Sequence, residues 1–464
     1  MHTALKTETA RQKEIKRWER EKSKPKKKLY LWYLLIILSL IYIADEVTTL
    51  IGTQMQSEIA IGLFQDRMSV MTLLSAFSLP MIALSVFYRT LADKYGRKLF
   101  ICINTFGMGF ALFIVFLAGR TGAVPGIVMY VIATMLINFF VPNDIQAVYL
   151  METAPEKRRA TTFAVVKALA TLGVVLIPWM RSIFMGRDVA LWYWVYLIPA
   201  VSIIFVALIT VLTARESDVF INNRLDFLRL TEDERMEILA RNKEAKAQGG
   251  LSNAFRFAFK HRQLKWLFIS NAILALGIMG TAFYPRIAAV FYDTSDVTTV
   301  LFLYPFSCAL ITLFNGVMSD KIGRKIMELF IITSAFLSFL LFYTGCQMHW
   351  NPVIIGIMAG FYVGAFYAGG DNLMSIMTSE SAPTNLRASV MSAQTVMNIA
   401  GGIPAHLIPM IVLFATQDNY SILGWACIIA SAPPMAIALF LIAVKVGDTT
   451  HVDMNTVRGD EWDK

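Results

Sequence analysis

The chain has 464 residues, of which 56% are hydrophobic and only 16% are charged, and its formal net charge is +9. Soluble domains average about 25% charged residues, so this composition excludes a soluble enzyme and favours an integral membrane protein. The basic residues alternate with apolar segments, which is typical of membrane orientation rather than of nucleic-acid binding.

Twelve apolar segments are each long enough to form a helix of about 20 residues, the length that crosses a bilayer. Backbone polar groups in lipid must be satisfied within the segment, which favours helices over open strands. The sequence therefore predicts an all-α membrane protein with twelve transmembrane helices. In chain order, the segments span residues 30–53, 68–89, 99–119, 125–150, 160–184, 190–213, 264–291, 297–318, 326–347, 352–378, 388–414 and 421–445.

The longest polar segment divides these helices into two sets of six. It contains Thr231 and Glu234 at the spacing of a capping box, so amphipathic helices are expected there. Alternate loops carry most of the Lys and Arg residues, which by the positive-inside rule places both termini in the cytoplasm. The predicted parts are a basic tail (1–29), a first six-helix bundle (30–213), a central loop (214–263), a second six-helix bundle (264–445) and a C-terminal tail (446–464).

Two motifs occur twice, once in each set of six helices. Asp93-Lys-Tyr-Gly-Arg-Lys98 follows the second segment and Asp320-Lys-Ile-Gly-Arg-Lys325 the eighth, at an offset of 320 − 93 = 227. Glu152-Thr-Ala-Pro follows the fourth segment and Glu380-Ser-Ala-Pro the tenth, at an offset of 380 − 152 = 228. A constant offset across six helices predicts a parallel structural repeat, with two pseudo-symmetric bundles around a cavity.

The first duplicated motif resembles the signature of the major facilitator superfamily, Gly-x-x-x-Asp-(Arg/Lys)-x-Gly-(Arg/Lys)-(Arg/Lys). Residues 316–325 match it throughout, whereas Arg89 stands where the first copy would have its leading Gly. The second motif resembles the Glu-x6-Arg elements of the sugar-porter and metabolite-symporter branches. The resemblance implies the twelve-helix fold of this family and secondary transport.

The resemblance also implies that the duplicated loops gate the cytoplasmic side. Arg97 and Arg324 would then pair with Glu152 and Glu380, while Gly96 permits the positive φ of a tight turn. Asp93 and Asp320 would meet helix ends of the opposite half. The implied gating residues are Asp93, Gly96, Arg97, Lys98, Glu152, Arg159, Gly316, Asp320, Gly323, Arg324, Lys325, Glu380 and Arg387.

Ionisable residues within the predicted helices are costly, so each is a candidate transport group. Asp144 and Asp371 lie at similar depths in the fourth and tenth helices, either lining the cavity or paired structurally within a half. Asp45 is the expected proton carrier, because desolvation favours a protonated carboxylate and the family often places one in the first helix. Glu46 is the alternative. The candidate cavity residues are Asp45, Glu46, Asn143, Asp144, Lys167, Asn271, Asp371 and Asn372.

Three basic residues lie at least three residues inside the ends of the predicted helices. Lys167 is a candidate counter-charge of Asp144 or Asp45, or else a snorkelling residue. Arg181 and Arg286 lie near the non-cytoplasmic ends of the fifth and seventh helices, where we expect them to snorkel.

The sequence has no Gly-x4-Gly-Lys-(Ser/Thr) phosphate loop and no Cys/His metal pattern. We therefore expect no cofactor or metal, and energy from a proton or other ion gradient. The predicted function is import of a sugar, polyol or other metabolite by a monomer in the plasma membrane, with the small solute and the bilayer as partners and no nucleic acid. Alternatives are an exporter of drugs or organic cations, a channel or non-transporting receptor, and an intramembrane enzyme.

Overall fold

The computed structural model describes residues 2–23, 30–141, 145–146, 149–150, 159–185, 188–234, 251–279, 281–367, 372–383 and 387–450. Within these ranges the chain is helical and contains no strand. The helices up to the central loop are α1 (His2–Lys22), α2 (Tyr30–Gln54), α3 (Gln56–Phe64), α4 (Met68–Ala76), α5 (Leu79–Tyr95), α6 (Arg97–Thr121), α7 (Ala123–Phe140), α8 (Arg159–Gly173), α9 (Leu176–Met185), α10 (Trp194–Thr213) and α11 (Asp218–Arg229).

The later helices begin with a short amphipathic helix of the central loop and continue to the end of the last apolar segment. They are α12 (Leu251–Lys260), α13 (Arg262–Gly277), α14 (Tyr284–Phe291), α15 (Thr294–Ile322), α16 (Arg324–Gln347), α17 (Pro352–Phe366), α18 (Met374–Ser381), α19 (Arg387–Ala415) and α20 (Tyr420–Lys445).

Nine helices of the described ranges are long and apolar enough to cross a membrane. Many of their large apolar side chains face outward, among them Leu212 and Ile429. An outer surface of this kind is stable against lipid and not against water. The all-α membrane fold is thus confirmed, and the count of twelve helices stays a prediction.

Three of the predicted segments are interrupted. The second is divided between α4 and α5, and the fifth between α8 and α9. The seventh is divided into α13 and α14 by the turn that begins at Ile278, and Pro285 lies in the first turn of α14. Because Pro lacks a backbone N–H, the first turn of a helix accommodates it without the loss of an intrahelical hydrogen bond. Discontinuous helices of this kind build the substrate sites of many secondary transporters.

The chain divides into two compact units. Unit 1 comprises Met1–Ile51, Leu74–Val174 and Leu191–Glu244, and unit 2 comprises Gly52–Leu73, Val175–Ala190 and Ala245–Lys464. These units differ from the two predicted bundles, because two short segments of the first bundle pack with the second. One segment contains α3 and the other contains α9; α3 packs on α14, and α9 packs on α15.

In unit 1 the basic N-terminal tail folds as helix α1, which packs against α11 of the central loop. Trp18 lies in the apolar cluster between the two helices and contacts Phe220 edge to face. Arg224 pairs with Glu14 at 2.8 Å, and the guanidinium of Arg11 donates to the carbonyl of Leu228, near the end of α11. The tail is therefore attached to the central loop, an arrangement that its polar sequence did not predict.

The capping box of the central loop is confirmed by its hydrogen bonds. The backbone N–H of Thr231 donates to the carboxylate of Glu234 at 2.9 Å, and the N–H of Glu234 donates to the Thr231 hydroxyl at 3.3 Å. The reciprocal bonds satisfy N–H groups that the first turn of a helix leaves without intrahelical partners.

Candidate functional site

Helix α2 holds the two acidic candidates of unit 1, and their surroundings differ. Asp45 is buried, and the side-chain amide of Gln146 donates to its Oδ2 at 3.4 Å. Glu46 forms an ion pair with Lys167 at 3.3 Å. The Lys167 ammonium also lies 5.2 Å from the centroid of the Tyr42 ring. Asp45 thus contacts a neutral amide, whereas Glu46 contacts a cation.

These contacts settle part of the sequence interpretation of Lys167. Lys167 forms an ion pair with Glu46, a partner that the sequence did not suggest. The Lys167 side chain is 34% exposed. Gln146 was also missed, since a lone amide in an apolar helix carries no recognisable motif. The candidates Asn143, Asp144 and Asp371 lie outside the described residues.

Unit 2 contains a small, open cleft beside the interrupted seventh helix. Asn271 and Thr281 line it from the seventh segment, Tyr367 from the tenth and Asn398 from the eleventh, next to apolar groups such as Phe366. The cleft therefore combines uncharged hydrogen-bonding groups with an aromatic wall. It contains Asn271, the amide singled out from the sequence; Asn372, also in unit 2, is exposed and does not line it.

The first copy of the duplicated loop motif begins helix α6 in unit 1. Gly96 has φ +112° and ψ +147°, a backbone region that is essentially restricted to glycine. The carboxylate of Glu216 accepts hydrogen bonds from the backbone N–H groups of Arg97 and Lys98 at 3.1 Å. Glu216, which the sequence analysis missed, therefore caps the N-terminus of α6.

Burial raises the pKa of Glu216 above its usual value, and hydrogen bonds from the N–H groups of Ser217, Lys98 and Arg97, together with the charge of Arg97, oppose this effect. The guanidinium of Arg97 lies 5.9 Å from the centroid of the Phe220 ring. The predicted partner of Arg97, Glu152, lies outside the described residues, as do the side chains of Asp93 and Arg159.

The second copy repeats this construction in unit 2. Gly323 has φ +114°, and α16 begins directly after it. The hydroxyl of Thr450 accepts from the N–H of Arg324 at 2.8 Å, and the carboxylate of Asp448 accepts from the N–H of Lys325 at 3.1 Å. Asp448 follows the last helix of the second bundle as Glu216 follows the last helix of the first, so each bundle caps its own motif.

Arg324 connects the two motifs of unit 2. Its guanidinium contacts Asp320 at 2.6 Å and Glu380 at 3.4 Å, and the hydroxyl of Thr449 donates to Glu380 at 2.6 Å. The Arg324–Glu380 pair implied by the family resemblance is thus present, whereas its gating role stays a prediction. The side chain of Arg387 lies outside the described residues.

Gly316, one of the implied gating residues, has open space beside it. A Cβ atom at this residue would meet no atom of the described chain within 4 Å. The leading glycine of the motif therefore mediates no close helix approach among the described residues.

Two further contacts lie in unit 2, at the helix ends opposite the Gly323 motif. We call this region the distal end; it comprises residues 55–69, 181–185, 284–300 and 413–421. Arg181 forms an ion pair with Glu58, and their side chains are only 3% and 4% exposed. Arg286 forms an ion pair with Asp66. The prediction that Arg181 and Arg286 snorkel towards water is wrong, because each has a carboxylate partner within the protein.

Comparison with known proteins gives consistent relatives. The family described as Major Facilitator Superfamily matches residues 29–406. A Bacillus subtilis (strain 168) protein named for metabolite transport, YwtG, is 25% identical over 449 residues, which cover 88% of this chain and 90% of that protein.

Two solved structures share the fold across nearly their full length. One is a D-xylose-proton symporter, with a TM-score of 0.64, 14% identity, and coverage of 90% of this chain and 99% of that one. The other is a variant of the nucleoside transporter NupG, with a TM-score of 0.64, 17% identity, and coverage of 90% and 100%.

Proposed function

Because the chain belongs to the major facilitator superfamily, we propose that it moves a small polar solute, such as a sugar or a polyol, across the plasma membrane in symport with protons. Membership of this family makes the chain an integral membrane transporter rather than an enzyme. Transport by alternating access requires two bundles that rock about a central site. The duplicated motifs supply one gate of this cycle in our proposal.

The cleft of unit 2 is the observation that carries the choice of solute. An amide group donates and accepts hydrogen bonds, as a hydroxyl group does, so Asn271 and Asn398 match a solute rich in hydroxyl groups. The described side chains that line this cleft carry no charge, which disfavours a strongly ionic solute. Phe366 provides an apolar wall for the C–H face of a ring. The names of the D-xylose symporter and the nucleoside transporter fit the same solute chemistry.

Asp45 is the proposed proton carrier. Its partner Gln146 donates an amide N–H to the ionised carboxylate, and after rotation of the amide its carbonyl oxygen can accept from the protonated form. Both protonation states of Asp45 are thereby accommodated. Glu46, in contrast, already forms an ion pair with Lys167. We therefore assign proton binding to Asp45 and a structural role to Glu46.

We place the basic loops and both termini in the cytoplasm. The excess of Lys and Arg in alternate loops supports this orientation. The contact of α1 with α11 is independent support for this orientation. Such a contact requires the N-terminal tail and the central loop to lie on the same side of the membrane. Import, and function as a monomer, are part of the same proposal.

The test is counterflow of radiolabelled sugars and polyols in proteoliposomes that contain the purified protein. We expect counterflow of at least one such solute, and a loss of at least tenfold for Asn271→Ala and for Asn398→Ala, because each removes a hydrogen-bonding group from the cleft. Asn222→Ala, on the exposed surface of α11, is the matched control and should retain counterflow. A solute whose counterflow is insensitive to both cleft variants would contradict the assignment of this cleft.

A further inference from the structure

The distal end contains two turns of the same sequence, Gln65-Asp66 and Gln417-Asp418. Both residues of each turn have left-handed backbone, with φ of 53° and 61° in both cases. This conformation is unfavourable for residues with a side chain, although Asp tolerates it better than most. A backbone hydrogen bond of 2.8 Å closes each turn, from Asp66 to Ala60 and from Asp418 to Leu413. Each aspartate is thus held shortly after the end of its helix.

The aspartate of the second turn binds the helix that follows the first turn. The carboxylate of Asp418 accepts the backbone N–H of Ser69 at 3.0 Å and its hydroxyl at 3.1 Å. Ser69 lies in the first turn of α4, where backbone N–H groups lack intrahelical acceptors. A carboxylate at this position satisfies one of them and is favoured by the helix dipole.

The aspartate of the first turn binds the second bundle in return. Asp66 forms an ion pair with Arg286 of α14. The guanidinium of Arg286 lies 4.4 Å from the centroid of the Tyr420 ring, and Tyr420 is the first residue of α20, shortly after the second turn. Arg286 therefore lies between the aspartate of one turn and the aromatic ring that follows the other.

The Asp66–Arg286 and Ser69–Asp418 contacts connect the two predicted bundles, and the Arg286–Tyr420 contact lies within the second. Asp66 and Ser69 belong to the first bundle, and Arg286, Asp418 and Tyr420 to the second. The Asp66 side chain is 54% exposed, so water and salt weaken its ion pair. Contacts of this type hold a closed state and can still be broken in each transport cycle.

We propose that Asp66, Ser69, Arg286, Asp418 and Tyr420 form a latch, the distal latch, that holds the two bundles together at the non-cytoplasmic side and opens when the site faces that side. The distal latch rests on the alternating-access function proposed above. Its residues position the bundles and do not touch the solute.

A labelling experiment tests the distal latch without any solute. Ser57, buried on α3 ahead of the first turn, is replaced by Cys as a reporter, and all four native cysteines are buried. A membrane-impermeant maleimide is applied to whole cells. We expect Arg286→Ala to raise the labelling rate at least tenfold, because it removes both the ion pair and the ring contact. Asp66→Asn keeps the exposed surface and should give a smaller increase.

The matched control removes an ion pair that does not connect the bundles. Glu14 and Arg224 pair at 2.8 Å within unit 1, with comparable partial exposure. Their double replacement by Ala should leave the labelling rate unchanged. Folded Arg286→Ala and Asp66→Asn proteins that label at the unmodified rate would overturn the proposal. If Arg286→Ala fails to fold, the result with Asp66→Asn decides.

A reversible cross-link tests the effect of the distal latch on transport. Because the carboxylate of Asp418 reaches both the N–H and the hydroxyl of Ser69, Cys residues at these two positions are close enough for a disulfide. Oxidation of S69C/D418C should lower transport at least tenfold, and an impermeant reductant should restore it. The control pair Gln263→Cys/Gly447→Cys, which are hydrogen-bonded within unit 2 at its opposite end, should be insensitive to oxidation.

The outcomes separate the two proposals. Unchanged transport by a fully cross-linked S69C/D418C protein would overturn the distal latch and leave the transport function intact. Absence of counterflow for every solute in the unmodified protein would instead remove the proposed function, whatever the labelling experiment shows.

Discussion

The two ends of the helices are built in different ways. At one end each bundle caps its own motif, with Glu216 on the helix after Gly96 and Asp448 on the helix after Gly323. At the distal end the contacts of Asp66 and Asp418 connect different bundles. Among the described residues, a side-chain cap follows the motif glycine in both bundles, whereas the Asp66–Arg286 and Ser69–Asp418 contacts differ from each other. The comparison shows which parts of this protein its internal repeat specifies.

The largest expected effect concerns the buried ion pair at the distal end. Glu58→Ala leaves the guanidinium of Arg181 buried without its carboxylate, which we expect to cost about 3–5 kcal/mol of stability. Thermal unfolding of the purified protein in detergent measures this loss. Glu14→Ala, in a partly exposed pair, is the control and should cost about 0–1 kcal/mol. Equal losses for both variants would show that burial of the Glu58–Arg181 pair has no energetic consequence.

The next largest effect is the loss of stability when either motif glycine, Gly96 or Gly323, is replaced by Ala. Gly96→Ala should cost about 1–3 kcal/mol because its backbone conformation is essentially restricted to glycine. A Cβ there would also lie 2.4 Å from Oε2 of Glu216, whereas at Gly323 the nearest atom, Oδ2 of Asp448, would be 3.0 Å away. We therefore expect Gly96→Ala to lower the unfolding temperature more than Gly323→Ala. The opposite order would contradict the described cap of α6.

A smaller effect is the pH dependence due to Glu216. Its pKa is raised above 4.5, mainly by burial, so the folded protein binds a proton more tightly than the unfolded chain. Its contribution to stability is therefore present below pH 4.5 and is lost as the pH rises through the raised pKa. Glu216→Gln should remove this slope. The measurement is the difference in unfolding temperature between the two proteins across this pH range, and a constant difference would contradict the raised pKa.

The smallest effect is expected at Gly316. Ala at this residue meets open space within the described chain and is about 1 kcal/mol more favourable in a helix than Gly. Gly316→Ala should therefore keep the transport rate within about twofold and leave stability equal or slightly higher. Gly402→Ala, also in a helix with no atom within 4 Å, is the matched control. A large loss of transport only for Gly316→Ala would reveal a close approach in another state of the cycle.

The sequence predicted the features that repeat or that depend on neighbouring residues. The duplicated loops and the capping box at Thr231 are of this type. Glu216 and Asp448 were missed, although their offset of 448 − 216 = 232 is close to that of the motifs. An acidic residue sought after the last helix of each bundle would have identified them.

The distal contacts had no comparable signal. Arg181 and its partner Glu58 are 181 − 58 = 123 residues apart, and nothing in either segment indicates the other. A basic residue near a helix end has the same local pattern whether it reaches water or a buried carboxylate. The interruption of the seventh helix was missed because its apolar run continues through Ile278, and only the tertiary structure shows the turn there.

The most direct test of the account is uptake driven by a pH gradient in proteoliposomes, with the solute identified by counterflow. The unmodified protein should accumulate the solute when the outside is acidic. Asp45→Asn should lose this accumulation and retain solute exchange, because the neutral amide still hydrogen-bonds to Gln146 but cannot bind and release a proton. Glu46→Gln should still accumulate the solute. Gradient-driven accumulation that is unchanged in Asp45→Asn would contradict the assignment of Asp45 and with it the proposed mechanism of coupling.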